Sequence, residues 1–265
     1  MVVFITGISS GFGLETAKLL SQEGHTVYGT VRRSVEPLPK VNYIQLDVRD
    51  RDDVKKAVDK IIEKEGRIDV LVNNAGMGIG GPLEFATEEE IRLQMDTNFM
   101  GLVHCVDAVL PYMRKQGSGK IIALSSIGGL MGLPFQGFYS ASKFAIEGYC
   151  ETLRLETKFF GIRVIVLRPG DFATGFTGSR KKVNNEAALE AYPIYKTAIE
   201  KVEHDENSGL KPIVLARKIN QIIQKKNPRN GYVVASFEQK LSVLLKRILP
   251  AKWFVRILGS YYKLS

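Results

Sequence analysis

Short apolar runs alternate with longer amphipathic segments along most of the chain. The apolar, β-branched runs are typical of strands and lie at Val2–Thr6, Thr26–Thr30, Tyr43–Leu46, Val70–Val72, Lys120–Leu124, Val164–Leu167 and Tyr232–Ala235. Helical periodicity lies between most of them, at Gly11–Glu23, Arg51–Glu65, Glu88–Arg114 and Tyr139–Phe160. Because the strands are apolar on both faces, this alternation predicts a parallel sheet covered by helices on each side.

Residues 1–265 are predicted to form a single domain of the α/β class, a doubly wound parallel sheet in three α/β/α layers. The chain has 265 residues, 45% of them hydrophobic, which is enough to bury a sizeable core. No Pro-, Gly- or Ser-rich linker and no long repeat divides it. Ligands of such sheets bind beyond the carboxyl ends of the strands, so functional residues are expected directly after strands.

Cysteine and histidine usage narrows the class of protein. Cys105 and Cys150 lie in helical patterns without metal-ligand spacing, so we expect reduced, packed thiols and a cytoplasmic protein. The first residues already resemble a core strand, so no signal peptide is expected, and no apolar run is long enough to cross a bilayer. His25, His104 and His204 are not clustered near the motifs below, so we expect no metal site.

A glycine-rich turn, Thr6–Gly13, follows the first predicted strand and opens the first predicted helix. Its glycines would allow a tight turn and a close approach of the backbone to a pyrophosphate, and the helix N-terminus would offer free N–H groups to the phosphates. The spacing is Gly-x-x-x-Gly-x-Gly rather than Gly-x-Gly-x-x-Gly, and a simple turn is the alternative. Its placement favours dinucleotide binding by Gly7, Ser9, Ser10, Gly11, Phe12 and Gly13.

The end of the second predicted strand indicates which dinucleotide binds. An NAD site places an acid there to accept the ribose 2′-hydroxyl, whereas a 2′-phosphate needs an arginine. Here Val31 is followed by Arg32 and Arg33, with no acid. Arg32 could pair with the phosphate and Ser9 could add a hydroxyl, so we predict NADP(H). Two solvated surface arginines are the alternative.

Two further strand ends carry candidate cofactor contacts. Asp47 and Val48 end the third strand, where the carboxylate could accept a hydrogen bond from the adenine amino group. Asn74, Ala75 and Gly76 follow the fourth strand, where small residues would let the ribose approach the chain.

Residues suited to proton transfer follow the fifth strand. Ser125–Gly129 comes directly after that strand. Tyr139 lies one helical turn before Lys143, so both side chains share one helix face. A free tyrosine has a pKa of about 10, and a neighbouring cation would lower it toward neutral pH. A Tyr-x-x-x-Lys pair alone is also typical of an ordinary helix surface.

Together these motifs resemble the short-chain dehydrogenase/reductase family, with its Rossmann fold, over essentially the whole chain. The matching residues are Thr6–Gly13, Asn73–Gly76, Asn98, Ser126, Tyr139, Lys143, Pro169, Gly170 and Thr174. The resemblance implies that Tyr139 is the acid/base and that Ser126 polarises the substrate oxygen. Ser125 is a plausible substitute, but the interval to Tyr139 fits Ser126. Lys143 would bind the nicotinamide ribose and lower the pKa of Tyr139.

The same resemblance implies roles for three other places. Asn98 would shape its helix so that a water chain reaches Lys143, and Pro169, Gly170 and Thr174 would close over the carboxamide of the nicotinamide. Asp171 departs from the family pattern, and we interpret it as a loop or cap residue.

Four segments are expected to line the substrate pocket and so indicate the class of substrate. They are Met77–Ile79, Leu133–Gln136, Phe172–Phe176 and the substrate-covering residues 178–210. Most are apolar, and Val27–Arg32 and Gly128–Phe135 resemble the branch that contains 17β-hydroxysteroid and retinol dehydrogenases. We therefore expect interconversion of a ketone and a secondary alcohol on a steroid, a retinoid or a long-chain keto lipid, by a homodimer or homotetramer without a nucleic-acid partner. A non-catalytic NADP(H) sensor is the alternative, although such a protein would typically lack the tyrosine or the lysine.

Charge is concentrated near the C-terminus. The chain has a net charge of +9, but residues 211–265 sum to +11 and residues 1–210 to −2. Residues 237–265 are predicted to form basic amphipathic helices whose apolar stripe includes Trp253, Phe254, Ile257, Leu258 and Tyr261. They could cap the substrate pocket, or they could hold the protein on an anionic membrane.

Overall fold

Seven parallel strands form the central sheet of the computed structural model, which describes residues 1–183 and 185–264. Their spatial order is β3 (Val41–Gln45), β2 (Thr26–Val31), β1 (Val2–Ile5), β4 (Val70–Asn73), β6 (Gly119–Leu124), β7 (Ile162–Pro169) and β9 (Gly231–Val234). The predicted doubly wound sheet is confirmed, and its winding direction reverses between β1 and β4. Asn184, in the predicted substrate-covering segment, and Ser265, in the predicted C-terminal helices, lie outside the described residues.

Helices cover both faces of this sheet, as the apolar strands predict. One face packs against α2 (Arg51–Glu65), α4 (Gly101–Gln116) and α5 (Gly137–Thr157), and the other against α1 (Gly11–Gln22) and α9 (Pro212–Gln224). Phe4 and Ile5, neighbours in β1, are both fully buried but belong to the cores on opposite faces. Alternation of side chains along each strand therefore supplies two apolar layers from one sheet.

The helix predicted over residues 88–114 is divided in two. It consists of α3 (Glu88–Met95) and α4, joined by a π turn over Asp96–Met100. Asn98 lies in this turn, where its buried side chain bonds backbone outside the helix, and such bulges commonly accompany functional residues. The helix predicted over 139–160 is α5, followed by a single 3₁₀ turn at Lys158–Phe160.

The remaining elements lie near the carboxyl end of the sheet. Two short strands, β5 (Ile79–Gly80) and β8 (Lys181–Lys182), pair in parallel. Along the chain, α6 (Gly175–Ser179) precedes β8, and α7 (Glu186–Ala191) and α8 (Ile194–Asn207) follow it. The C-terminal pair is α10 (Phe237–Ile248) and α11 (Ala251–Tyr261). Within the described ranges, no helix has both the length and the apolarity needed to cross a membrane. Cys105 and Cys150 are buried free thiols.

Candidate active site

The turn between β1 and α1 has a geometry that suits a phosphate group. Gly7 has a φ of 71°, and a Cβ there would lie 3.0 Å from the Cα of Ala75. A Cβ at Gly13 would collide with the Gly7 carbonyl oxygen, so only glycine fits where α1 packs against the turn. The first turn of α1 contains no acid, which leaves its partial positive charge available to an anion. This part of the chain fits a dinucleotide.

Asn74 connects this turn to the end of β4. Its Nδ2 donates to the carbonyl oxygens of Thr6 and Gly7, both at 2.8 Å, and the Thr6 hydroxyl accepts from the N–H groups of Asn74 and Ala75. The two strand ends on either side of the reversal point are therefore held together by hydrogen bonds. Such bonds position the Gly-rich turn against Ala75 without needing a ligand.

Arg32 lies directly after β2 with an exposed side chain, and it lines the same cavity as the Gly-rich turn. Arg33 is also exposed but does not line the cavity. Asp47, after β3, forms an ion pair with Arg49 at 2.6 Å. Hydrogen bonds donated by Arg49 hold the pKa of the Asp47 carboxyl below its usual value. The Asp47 carboxylate is thus ionised and partly occupied by its own neighbour.

One cavity of about 830 Å³ brings most of the predicted site residues together. It is lined by Gly7, Ser9, Ser10, Gly11, Phe12, Arg32, Asp47, Val48, Asn74, Ala75, Gly76, Ser126, Tyr139, Lys143, Pro169, Gly170 and Thr174. Gly13 and Asn98 do not line it, since Gly13 lies under the turn and Asn98 is buried behind β4. The predicted pocket wall at Met77–Ile79 is wrong, because Gln94 and Asn98 bond this segment and it does not reach the cavity.

Ser126 and Tyr139 face each other inside the cavity. Burial raises the pKa of the Tyr139 phenol to about 12 and outweighs the nearby Ser126 hydroxyl, which lowers it. Ser126 Oγ also accepts from the Gly128 N–H at 3.0 Å, which orients the hydroxyl. Ser125, the alternative serine, instead directs its hydroxyl toward the Lys143 carbonyl oxygen at 3.4 Å. The geometry therefore places Ser126, rather than Ser125, beside the phenol.

Lys143 is buried beneath Tyr139, with Nζ 5.7 Å from the centre of the tyrosine ring. Burial lowers the pKa of its ammonium to about 8. The expected lowering of the tyrosine pKa by Lys143 is not found here. Nζ donates to the Leu124 carbonyl oxygen at 2.8 Å, and burial dominates the pKa of the phenol. The Tyr139 phenol is accordingly protonated and neutral at pH 7.

Asn98 supports these residues from behind the cavity. Its Oδ1 accepts from the Met77 N–H at 2.8 Å, and its Nδ2 donates to the Met77 carbonyl and to Ser142 Oγ, both at 3.0 Å. The Ser142 hydroxyl in turn donates to the Tyr139 carbonyl at 2.7 Å. A chain of hydrogen bonds therefore runs from the π turn to the start of α5.

The cavity wall also contains a group of carboxylates that the sequence motifs did not predict. Asp171, Asp205 and Glu206 all line it. Glu206 forms an ion pair with buried Arg180, and Asp205 pairs with Lys201 at 2.7 Å. Asp171 has no ion-pair partner within residues 1–183 and 185–264, and burial together with the other two carboxylates raises its pKa to about 7. The one signal in the sequence that could have indicated this group was the position of Asp171 just after β7.

The C-terminal helices form the neighbouring part of the cavity wall, where the Tyr261 hydroxyl donates to Asp205 Oδ2 at 2.8 Å. Leu245 of α10 and Phe254 and Leu258 of α11 line the cavity, and Phe254 is 3% exposed. Gln239 Oε1 accepts from the N–H of Asp171 at 3.2 Å and joins α10 to the loop after β7. The pair α10–α11 therefore caps the cavity, as one of the two interpretations of the basic tail predicts. No cluster of metal-ligating side chains occurs in the described part of the chain.

Comparisons with known proteins agree with this geometry. The family model for short chain dehydrogenase matches residues 1–185. The 3-ketodihydrosphingosine reductase of Bacteroides thetaiotaomicron is 48% identical over 262 residues, 98% of this chain and 97% of that protein. Human 17-beta-hydroxysteroid dehydrogenase type 1 is 41% identical over 191 residues, 66% of this chain and 58% of that protein.

Solved structures show the same fold. A short-chain dehydrogenase from Streptomyces avermitilis superposes with a TM-score of 0.81 at 28% identity and covers 99% of this chain and 97% of its own. Another, from Burkholderia phymatum in complex with NAD, gives a TM-score of 0.76 at 25% identity over 87% of this chain and 88% of its own. The predicted resemblance is confirmed: this chain belongs to the short-chain dehydrogenase/reductase family of oxidoreductases.

Proposed function

We propose that this protein uses NADP(H) to reduce the ketone of a long-chain lipid that carries a protonated amine beside the carbonyl. The observation that carries the proposal is the composition of the cavity, which combines the Ser126–Tyr139 pair, apolar walls and the unpaired carboxylate of Asp171. A steroid or retinoid would match the apolar walls but would supply no cation to this buried carboxylate, whose side-chain hydrogen bond from Gln239 is neutral.

Tyr139 is the proton donor in the proposed reduction. Its pKa of about 12 keeps the phenol protonated, and Ser126 beside it can donate a hydrogen bond to the same substrate oxygen. When bound, the nicotinamide cofactor supplies the hydride that reduces the carbonyl carbon. The proton from Tyr139 then completes the secondary alcohol. As long as the Lys143 ammonium is protonated, it places a positive charge beneath the tyrosine ring.

Arg32 supports the choice of NADP(H) over NAD(H). It is a cation at the end of β2, on the cavity wall and close enough to Asp47 to influence that carboxyl. No acid occupies the position after β2 that would accept a ribose 2′-hydroxyl. The Gly-rich turn, with Ser9 and Ser10 exposed on it, would hold the phosphates, and Asp47 and Val48 would border the adenine.

The name of the Bacteroides relative supports a long-chain amino ketone. 3-Ketodihydrosphingosine combines a long alkyl chain with an amino group on the carbon beside the ketone. Leu245, Phe254 and Leu258 offer apolar surface to such a chain, and Asp171 offers a negative charge to the ammonium. The ionised carboxylate of Asp171, costly when buried alone, would be stabilised by that cation.

Purified protein supplied with NADPH and a panel of ketones tests the proposal. The decrease in nicotinamide absorbance should be fastest with 3-ketodihydrosphingosine, slower with its analogue lacking the amine, and slowest with steroid and retinoid carbonyls. Preference for a steroid or retinoid would contradict the proposed substrate. Binding of NADPH without turnover of any ketone would indicate the non-catalytic sensor instead.

We also propose a cytoplasmic homodimer or homotetramer assembled through α5, without a nucleic-acid partner. The side of α5 away from the sheet exposes Phe144 and Leu155, at 45% and 68%. Phe159, in the turn after α5, is 92% exposed. Apolar side chains of this size on one surface are typical of an interface. The mass in solution, measured by light scattering, tests this assembly.

A further inference from the structure

Exposed apolar side chains are concentrated at the C-terminal end of the chain. Among the described residues, nine of the nineteen large apolar side chains that are exposed lie in 237–264. Four belong to α10, at Phe237, Leu241, Leu244 and Ile248, with exposed fractions of 79%, 43%, 51% and 64%. Their spacing of four, three and four residues places them on one side of the helix.

The second helix of the pair also presents apolar surface. Trp253, Ile257 and Tyr261 of α11 are four residues apart on one side of the helix and are 58%, 48% and 50% exposed, whereas Phe254 is buried against the cavity. We call these two stripes together the C-terminal apolar face; it consists of Phe237, Leu241, Leu244, Ile248, Trp253, Ile257 and Tyr261. It is too extensive for scattered surface residues and indicates a partner.

Charge identifies the kind of partner. Residues 237–264 contain six basic residues, Lys240, Lys246, Arg247, Lys252, Arg256 and Lys263, and one acid, Glu238, which lines the cavity. A second copy of the same face would bring these cations together and repel. An anionic lipid surface offers acyl chains to the apolar side chains and negative headgroups to the cations.

Two side chains connect this face to the cavity. Ile257 and Tyr261 line the cavity and are also 48% and 50% exposed, so they lie where the cavity meets the protein surface. We propose that α10 and α11 dock on an anionic membrane and that lipid substrate enters the cavity past Ile257 and Tyr261. The docking stands by itself, whereas the entry route rests on the proposed lipid substrate.

Trp253 provides the direct test, because it is the only tryptophan of the chain and lies on this face. Adding phosphatidylglycerol vesicles to the full-length protein at low salt should shift its fluorescence to the blue and protect it from a soluble quencher. Phosphatidylcholine vesicles should do so much less, and high salt should weaken the response. No shift with anionic vesicles at low salt would overturn the docking.

A pair of substitutions separates docking from catalysis. Leu244→Glu with Ile248→Glu removes apolar groups that do not line the cavity, and should weaken vesicle binding on the order of tenfold or more. Leu189→Glu with Ile194→Glu, at exposed positions on α7 and α8, is the matched control and should bind as wild type. Unchanged binding in the α10 pair, or a lower oligomer mass without loss of binding, would assign the face to protein contacts and overturn the proposal.

Substrate presentation tests the entry route. The variant with both Leu244→Glu and Ile248→Glu should turn over a short, water-soluble ketone at the wild-type rate. With the long-chain ketone embedded in vesicles, its KM should be higher than that of wild type. Equal kinetics with vesicle-embedded substrate would overturn the route. Failure of wild type to reduce any long-chain ketone would count against the proposed function, and the fluorescence result would still decide the docking.

Discussion

The ammonium group of Lys143 donates a hydrogen bond to the carbonyl oxygen of Leu124 at 2.8 Å. This contact attaches the first turns of α5 to the end of β6 and gives a buried cation one fixed acceptor. Burial still disfavours the charged form and lowers the pKa of Lys143 to about 8. The lysine is therefore charged at neutral pH and neutral a little above it.

Loss of this charge should appear in the pH profile of ketone reduction. The value of kcat/KM should be constant near pH 7 and fall as pH rises through about 8, because the ammonium loses its proton while Tyr139 keeps its own. Lys143→Arg should move this limb to higher pH, since guanidinium stays charged. Lys120→Arg, at a partly buried lysine of β6, is the control and should leave the profile unchanged. An identical limb in Lys143→Arg would reject the assignment.

Removing the phenol should stop proton donation but spare the fold. Tyr139→Phe should lower turnover by a factor on the order of 10² or more, which is typical of general acid–base catalysis. Binding of NADPH, measured by its fluorescence, and the melting temperature should stay close to wild type, because Tyr139 donates to no backbone acceptor. Turnover within about threefold of wild type would show that another group supplies the proton.

Arg32 should distinguish the two nicotinamide cofactors. A hydrogen bond to a charged group contributes about 1.5–3 kcal/mol, so Arg32→Ala should weaken NADPH binding roughly ten- to a hundredfold. Binding of NADH should barely change, since it lacks the 2′-phosphate. Arg33→Ala, which removes a neighbouring cation outside the cavity, controls for the general effect of charge. Equal losses for the two cofactors would place Arg32 away from the phosphate.

Asp171 should determine recognition of the amine. Asp171→Asn should lower kcat/KM for 3-ketodihydrosphingosine about tenfold or more, the range of a charged hydrogen bond, and should leave the analogue without an amine unaffected. In wild type the preference for the amine should decline as pH falls through about 7, because the carboxyl then becomes protonated in the free protein. The Asn variant should show little preference at any pH. A variant that keeps the wild-type preference would place the ammonium elsewhere.

Local sequence was sufficient to predict the strands of the sheet and the Gly-rich turn between β1 and α1. Strand positions follow from β-branched runs, and Phe4 and Ile5 alternate between faces because successive side chains of a strand point in opposite directions. The Gly-rich turn and Arg32 were predicted because each is specified within a few residues of a strand end. The candidate catalytic residues were predicted from resemblance to a family, since a tyrosine and a lysine four residues apart are common in helices.

Tertiary structure decided what depends on residues distant in the sequence. The pairing of Phe172 with Leu210 brings Asp171 beside the end of α8, and thus beside Asp205 and Glu206. Desolvation and the two neighbouring carboxylates then raise the pKa of the Asp171 carboxyl, whereas the sequence had indicated only that Asp171 is a loop or cap residue. The packing of Phe254 against the cavity likewise divides the amphipathic tail between a capping side and an exposed apolar side. Periodicity defines such a stripe, but only three-dimensional packing determines which part of it is buried.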